Sequence, residues 1–145
     1  MKKKRVLSLV AAAMLSVSVL AGCGSSDKLK DGTYAVETGY DKHGYKSSFS
    51  MDVKDGKIAS VNYDEVKEDG TSKKADAEYN EKMMSIANTN PETAYKTLED
   101  SLLTKQSAEV DTVAGATQST EAFKKVVTKA IENAKAGNTE KAIVE

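Results

Sequence analysis

Residues 110–120 read Val110-Asp111-Thr112-Val113-Ala114-Gly115-Ala116-Thr117-Gln118-Ser119-Thr120. This is a strand-like step, a turn of residues with almost no side chain, and then a run of hydroxyls where a helix begins. The first turn of a helix carries free backbone N–H groups and a partial positive charge, which together receive anions. Gly115 and Ala116 let a bulky phosphate ester approach the backbone, and Thr117 presents a hydroxyl to it. Asp111, Gln118, Ser119 and Thr120 are the flanking candidates for the same contact. Spacing alone leaves a plainer alternative open, in which Thr117 or Ser119 caps the helix and nothing binds.

Cys23 is the other reactive residue. Lys2 to Arg5 is basic, Val6 to Leu20 is apolar apart from three serines, and Leu20-Ala21-Gly22-Cys23 follows. The run is too short and too hydroxylated for a comfortable membrane span and reads as a lipoprotein signal peptide over residues 1–22. The tetrapeptide resembles a bacterial lipobox, which implies cleavage before Cys23 and a diacylglycerol on its thiol. Acyl chains would hold the chain at the extracytoplasmic face of the cell membrane. Residues 23–28 then form the lipidated Cys and a flexible tether. The octapeptide Leu15 to Gly22 is similar to segments that enterococcal-type lipoproteins release as pheromones, although any signal-peptide core is apolar.

Composition removes most other chemistry. The 145-residue chain has one His, one Cys and a formal net charge of -1. Without the four basic residues of the leader, 17 Lys+Arg face 22 Asp+Glu, so nucleic acid is not the expected partner. One Cys and one His exclude an intrachain disulfide, a Cys-based metal site and a His cluster. A hydrolase would need a base beside Ser119 or Thr120, and nothing pairs the lone His43 with either. His43 reads as an exposed loop residue, Asp64 to Asp69 as a solvated acidic loop, and Met83-Met84 as a metal pair only superficially. Any chemistry is then expected to come from a cofactor.

The elements that position the 110–120 segment form one α+β domain over residues 29–136. Thr33 to Glu37 is a short strand. Tyr45, Ser47, Phe49, Met51 and Val53 alternate on one strand face, Asp55-Gly56 is a hairpin turn, and Lys57 to Tyr63 returns with Ala59, Val61 and Tyr63 in step. Asp64 to Ser72 is a loop or frayed end. Lys74 to Ala87 places Ala75, Tyr79, Met83 and Ile86 on one helical face; Asn90 caps a second helix opened by Pro91, with Ala94, Leu98 and Leu102 inward. Thr104 to Glu109 connects. Ser119 to Ala136 carries the broad stripe Phe123, Val126, Val127, Ala130, Ile131 and Ala134, and Gly137 stops it. Residues 137–145 read as a mobile tail. The expected architecture is a small antiparallel hairpin-based sheet packed against about three helices.

Asp111-Thr112-Val113-Ala114-Gly115-Ala116-Thr117 resembles the flavinylation motif of the FMN-binding domain family. That family includes subunits of the sodium-pumping NADH:quinone reductase and of the Rnf complex, and single-domain lipoproteins of Gram-positive bacteria. Asp31-Gly32-Thr33-Tyr34, Gly39-Tyr40, Asp55-Gly56-Lys57-Ile58 and Asp76 to Met83 are similar to the single-domain members, so the likeness runs from about Leu29 to Ala136. It implies that an FAD:protein FMN transferase joins FMN by a phosphoester to Thr117. It also implies a non-enzymatic carrier that relays electrons from a membrane quinone-linked reductase to an external acceptor. Tyr40, Tyr45 and Tyr63 are candidate partners for the flavin ring. The family usually has Ser or Thr where this chain has Ala114; the missing neutral hydrogen bond is worth about 1 kcal/mol. The alternative is a surface lipoprotein of the same fold that holds FMN loosely or not at all and serves as a binding or signalling module.

Overall fold

The computed structural model describes residues 28–145; the segments read as signal peptide and tether, Cys23 included, lie outside the described residues up to Asp27. Gly32–Thr38 (β1) pairs antiparallel with Tyr45–Lys54 (β2), which pairs antiparallel with Lys57–Lys67 (β3). Asp55 and Gly56 close the hairpin with φ of 53° and 75°, the left-handed pair that matches the twist of the flanking strands. Every inward position of β2, from Tyr45 to Val53, is buried as its alternation demands. On β3 a bulge intervenes. Val53 pairs with Ile58 while Asp52 pairs with Ser60, so Ala59 is the extra residue. Ile58 therefore enters the core and Ala59 is exposed, which corrects the expected alternation at that end.

β3 also runs four residues beyond the expected Tyr63. Asp64 and Glu65 are buried rather than solvated. Asp64 accepts the Ser72 hydroxyl, and Lys73 reaches the Glu65 carboxylate from the following turn, so each charge has a partner that offsets its desolvation.

Three helices cover the sheet. Ala77–Ala87 (α1) is capped by Asp76, whose carboxylate accepts from Tyr79 N at 3.0 Å. Pro91–Lys105 (α2) is capped by Asn90 as its sequence requires. Thr117–Ala136 (α3) ends at Gly137. Helix α3 packs on β1 and β2, and α2 on β3. Between them Phe123 meets Phe49 and Tyr63 edge-on, with centroids 5.8 and 5.1 Å apart, and Tyr63 meets Tyr95 at 4.8 Å. Edge-to-face rings add attraction beyond the area they bury. Helix α1 departs from its expected apolar packing, since Ile86 is 69% exposed and Asn80 is its buried residue. The Asn80 amide donates to the carbonyls of Lys73, Lys74 and Asp76 and accepts from Glu92 N, so a polar clamp holds this helix.

The tail is not free. Ala142–Val144 (β4) pairs in parallel with β1 and makes a mixed sheet of order β3-β2-β1-β4. Lys141 Nζ reaches Glu37 at 2.6 Å, and Lys46 Nζ reaches the same carboxylate at 2.8 Å. Partial burial pushes the Glu37 carboxyl up, but the two ammoniums outweigh it and hold it below its ordinary value. A depressed carboxyl stabilises above its ordinary pKa, 4.5 for Glu, and loses that contribution as pH falls through the native value. In Glu37→Gln, amide exchange at 142–144 should quicken about fivefold at neutral pH, the effect of roughly 1 kcal/mol. The gap from wild type should narrow on acidification, as hydrogen exchange at several pH values would show.

Candidate functional site

The 110–116 segment is shaped by a residue from the helix it precedes. The Thr120 hydroxyl accepts from Val113 N at 3.1 Å and donates to the Ala116 carbonyl at 2.9 Å. Ala116 N closes the turn onto the Val113 carbonyl at 3.0 Å. Thr120 is fully buried by this work, so it builds the turn and does not face a ligand. Gly115 sits at φ 81°, and a Cβ there would lie 2.8 Å from the Ala87 carbonyl oxygen and 2.9 Å from Thr89 Cγ2. The turn is thus pressed against the end of α1.

The result is an uncapped helix. Ala116 occupies the N-cap and supplies no side-chain hydrogen bond, and no acidic residue stands in the first turn. Neither Thr117 nor Ser119 performs the capping that spacing alone left open. Thr117 is the first helical residue, exposed, beside backbone N–H groups that no cap covers.

Two cavities flank this helix start. A cleft of about 560 Å³ lies on one side. Gln118, Ser119, Ala122 and Lys125 of α3 form one wall. Thr38 to Asp41, His43, Tyr45 and Ser47 also line it, together with Glu65, Lys73 and Tyr79. A smaller cavity of about 40 Å³ lies on the other side, between Gly115, Ala116 and Ser119 and the residues Tyr79, Met83, Thr89 and Tyr95. Lys73, Tyr79 and Ser119 border both.

The loop of the cleft wall is held by Asp41, whose carboxylate accepts from His43 N at 2.8 Å and Tyr45 N at 2.9 Å. Burial pushes this carboxyl up, but those two amides outweigh it and leave it below its ordinary value. Beneath lies a buried polar chain. Ser47 Oγ and the Tyr63 hydroxyl are 3.1 Å apart, Tyr63 donates to Glu65 Oε1 at 3.1 Å, and Lys73 donates to Glu65 Oε2. The Lys73 ammonium also stands 4.6 Å from the Tyr45 ring centroid and 5.5 Å from that of Tyr79. Burial pulls its pKa down, but Glu65 and the tyrosines outweigh that and hold it above its ordinary value. Burial, then the Glu65 charge, push the Tyr63 hydroxyl well up, and the same two causes raise Tyr95. Both stay protonated donors, and the buried Tyr95 hydroxyl has Ser119 and Glu65 as polar neighbours but closes no well-formed hydrogen bond with either.

The predicted residues divide accordingly. Gly115, Ala116, Gln118 and Ser119 border the cavities, with Thr117 beside them at the surface. Tyr40 and Tyr45 line the cleft, Tyr40 at 50% exposure. Tyr63 does not: it is fully buried among Phe123 and Tyr95, because its strand face turns into the core. Asp111 borders neither cavity and instead pairs with Lys105 at 3.2 Å from an exposed position. His43, read as a plain loop residue, is on the cleft wall. Sequence reasoning missed Glu65 and Lys73, for which spacing offers no signal, and Tyr79, whose helical stripe was assigned to the core.

The cleft is of a size that takes a small-molecule ligand, and the uncapped helix start beside it suits a phosphorylated one. The model of the FMN-binding domain matches residues 43–132. A 15 kDa lipoprotein of Treponema pallidum (strain Nichols) is 34% identical over 128 residues, covering 87% of this chain and 91% of the relative. The crystal structure of a Clostridium perfringens protein superposes with a TM-score of 0.78 at 43% identity, over 80% of this chain and 97% of that one. A solution structure from Clostridium thermocellum, at 24% identity and a TM-score of 0.51, covers 73% of this chain and 92% of its own and shares the fold.

Proposed function

This chain belongs to the FMN-binding domain family, and from that membership we propose that it is a membrane-anchored electron-transfer flavoprotein carrying FMN covalently on Thr117. The observation that carries the reading is the α3 start, where an exposed threonine hydroxyl stands among uncapped N–H groups between two cavities. In the loading step an FAD:protein FMN transferase joins Thr117 Oγ to the FMN phosphorus of FAD. The pyrophosphate bond breaks, AMP leaves, and the hydroxyl proton passes to solvent or to a base of the transferase. The first-turn amides and the helix dipole would hold the phosphate of that ester. Gly115 lets the turn before α3 pack against the end of α1, and Tyr40 and Tyr45 offer ring faces along the cleft. The bound flavin supplies the electron-carrying chemistry, and the protein supplies position and electrostatics.

The Treponema relative is a lipoprotein by name, and the lipobox of this chain supports the same anchoring through Cys23. No helix among the described residues is long and apolar enough to cross a membrane. A covalent tie suits an extracytoplasmic carrier, because a cofactor that dissociates there is lost. Electrons would pass from a membrane quinone-linked reductase to an acceptor outside the cell.

The test is co-expression with and without an active FMN transferase, followed by full denaturation, in-gel flavin fluorescence and intact mass. Flavin should survive denaturation only where the transferase was present. A wild-type chain that retains none, beside a control substrate that is loaded, would leave a lipoprotein that binds FMN loosely or not at all.

A further inference from the structure

The cleft contains one cation that is fixed and shielded. Lys73 has a side-chain exposure of 14%, and its carboxylate partner Glu65 has 9%. The pair is locked twice, since Lys73 N also donates to the Glu65 carbonyl at 2.9 Å. Glu65 is itself anchored through the Tyr63 hydroxyl to the aromatic core. Three N–H donors sit on the ammonium, and its hydrogen bond to Glu65 uses one, while the Tyr45 and Tyr79 rings flank it. The other cleft cation, Lys125, is exposed and donates to the Glu145 backbone oxygen at 2.8 Å, so solvent and salt screen it. Lys46 and Lys67 approach the rings of Tyr40 and Tyr45 at 5.6 and 5.2 Å but form no part of the cleft lining.

We propose that Lys73 is the residue that sets the flavin's reduction potential, its ammonium being held by Glu65 between Tyr45 and Tyr79 at the inner side of the cleft. This rests on the reading that the ring system of FMN occupies that cleft. Two-electron reduction with uptake of one proton leaves the ring system with one net negative charge. The electrons come from the donor, dithionite in the test, and the proton comes from solvent. Lys73 keeps its own proton throughout and favours the charged product by Coulomb attraction, which a partly desolvated site strengthens. Its pairing with Glu65 moderates that attraction, so the two side chains act in opposite directions on one equilibrium.

The test is spectroelectrochemical titration of the flavinylated chain. Lys73→Met should shift the reduction equilibrium at least tenfold toward the oxidised form, about 30 mV for a two-electron couple. Lys73→Arg should stay within threefold of wild type, and Glu65→Gln should shift the equilibrium toward the reduced form. Lys73→Met leaves the Glu65 carboxylate buried without its cation, which is destabilising. If it does not fold, Lys73→Met/Glu65→Gln removes both charges at similar volume and should still favour the oxidised form, because of the two charged residues Lys73 borders both cavities and Glu65 the cleft alone. Reduction equilibria within twofold of wild type in these variants, with flavin retained through denaturation, overturn the role of Lys73 alone. A wild type that retains no flavin overturns the covalent reading and this inference with it.

Discussion

Thr117→Ala will carry no flavin through denaturation, while its fold and thermal midpoint stay close to wild type. The reason is the position of the side chain. Thr117 is exposed at the first turn of α3, its hydroxyl caps nothing, and the N-cap is Ala116. Removing an uncommitted surface hydroxyl changes stability by less than about 0.5 kcal/mol, whereas removing the sole acceptor atom of a phosphoester removes the bond altogether. Thr117→Ser keeps the oxygen and should retain flavin, with any loss reflecting the freer rotamer. Ser119→Ala is the matched control. Its hydroxyl borders both cavities two residues along the same helix and should be dispensable for attachment. In-gel fluorescence and circular dichroism on the same preparations separate chemistry from folding. Flavin retained by Thr117→Ala would move the attachment to another residue.

How well this site could be read from sequence depended on how local its determinants are. The Asp55-Gly56 turn, the Asn90 cap before Pro91 and the Phe123 to Ala134 stripe each rest on residues within one or two turns of one another, and all three stand as expected. The segment ending in Thr117 is local as well, but its spacing leaves a plain helix cap open, and only the family resemblance marks it as a site. Glu65 and Lys73 were not legible. A charged residue enters a core only with a partner, and here the partner lies beyond a reversal of chain, where Ser72 bridges back to Val66. Tyr79 was placed on the correct face of its helix, but periodicity reports that a face is covered and not what covers it. That face borders the cavities while Asn80 does the anchoring. Tyr63 failed in the converse way, since strand alternation cannot tell an inward residue from one that opens on a cleft. The β4 pairing escaped because three residues of tail have no pattern of their own; their strand exists through β1 and the Lys141 contact.

Gly115→Ala tests whether the turn itself, and not only its terminal hydroxyl, makes the site. Two costs coincide there. A non-glycine residue at φ 81° is strained by about 1–2 kcal/mol. The new Cβ would also stand 2.8 Å from the Ala87 carbonyl oxygen, a backbone atom at the end of α1 that cannot swing aside as a side chain can. Overpacking of this kind costs about 1–3 kcal/mol. The sum, roughly 2–5 kcal/mol, should lower the thermal midpoint on the order of 10 °C or more. Gly70→Ala separates the two contributions. Gly70 has φ 85° with nothing within 4 Å of a built Cβ, so it reports backbone strain without collision. The Gly115 variant should be the less stable of the two. Because α1 is held by hydrogen bonds through Asn80 and buries no large apolar face, the collision is relieved by displacing α1 and the turn apart. That displacement moves Tyr79 and Thr89 away from the α3 start and opens the small cavity. At permissive temperature, where the chain is still folded, flavin loading by the transferase should therefore fall several-fold in Gly115→Ala and remain near wild type in Gly70→Ala. Equal loading in both, with Gly115→Ala clearly destabilised, would show that the transferase requires only the Thr117 hydroxyl and tolerates a distorted turn beside it.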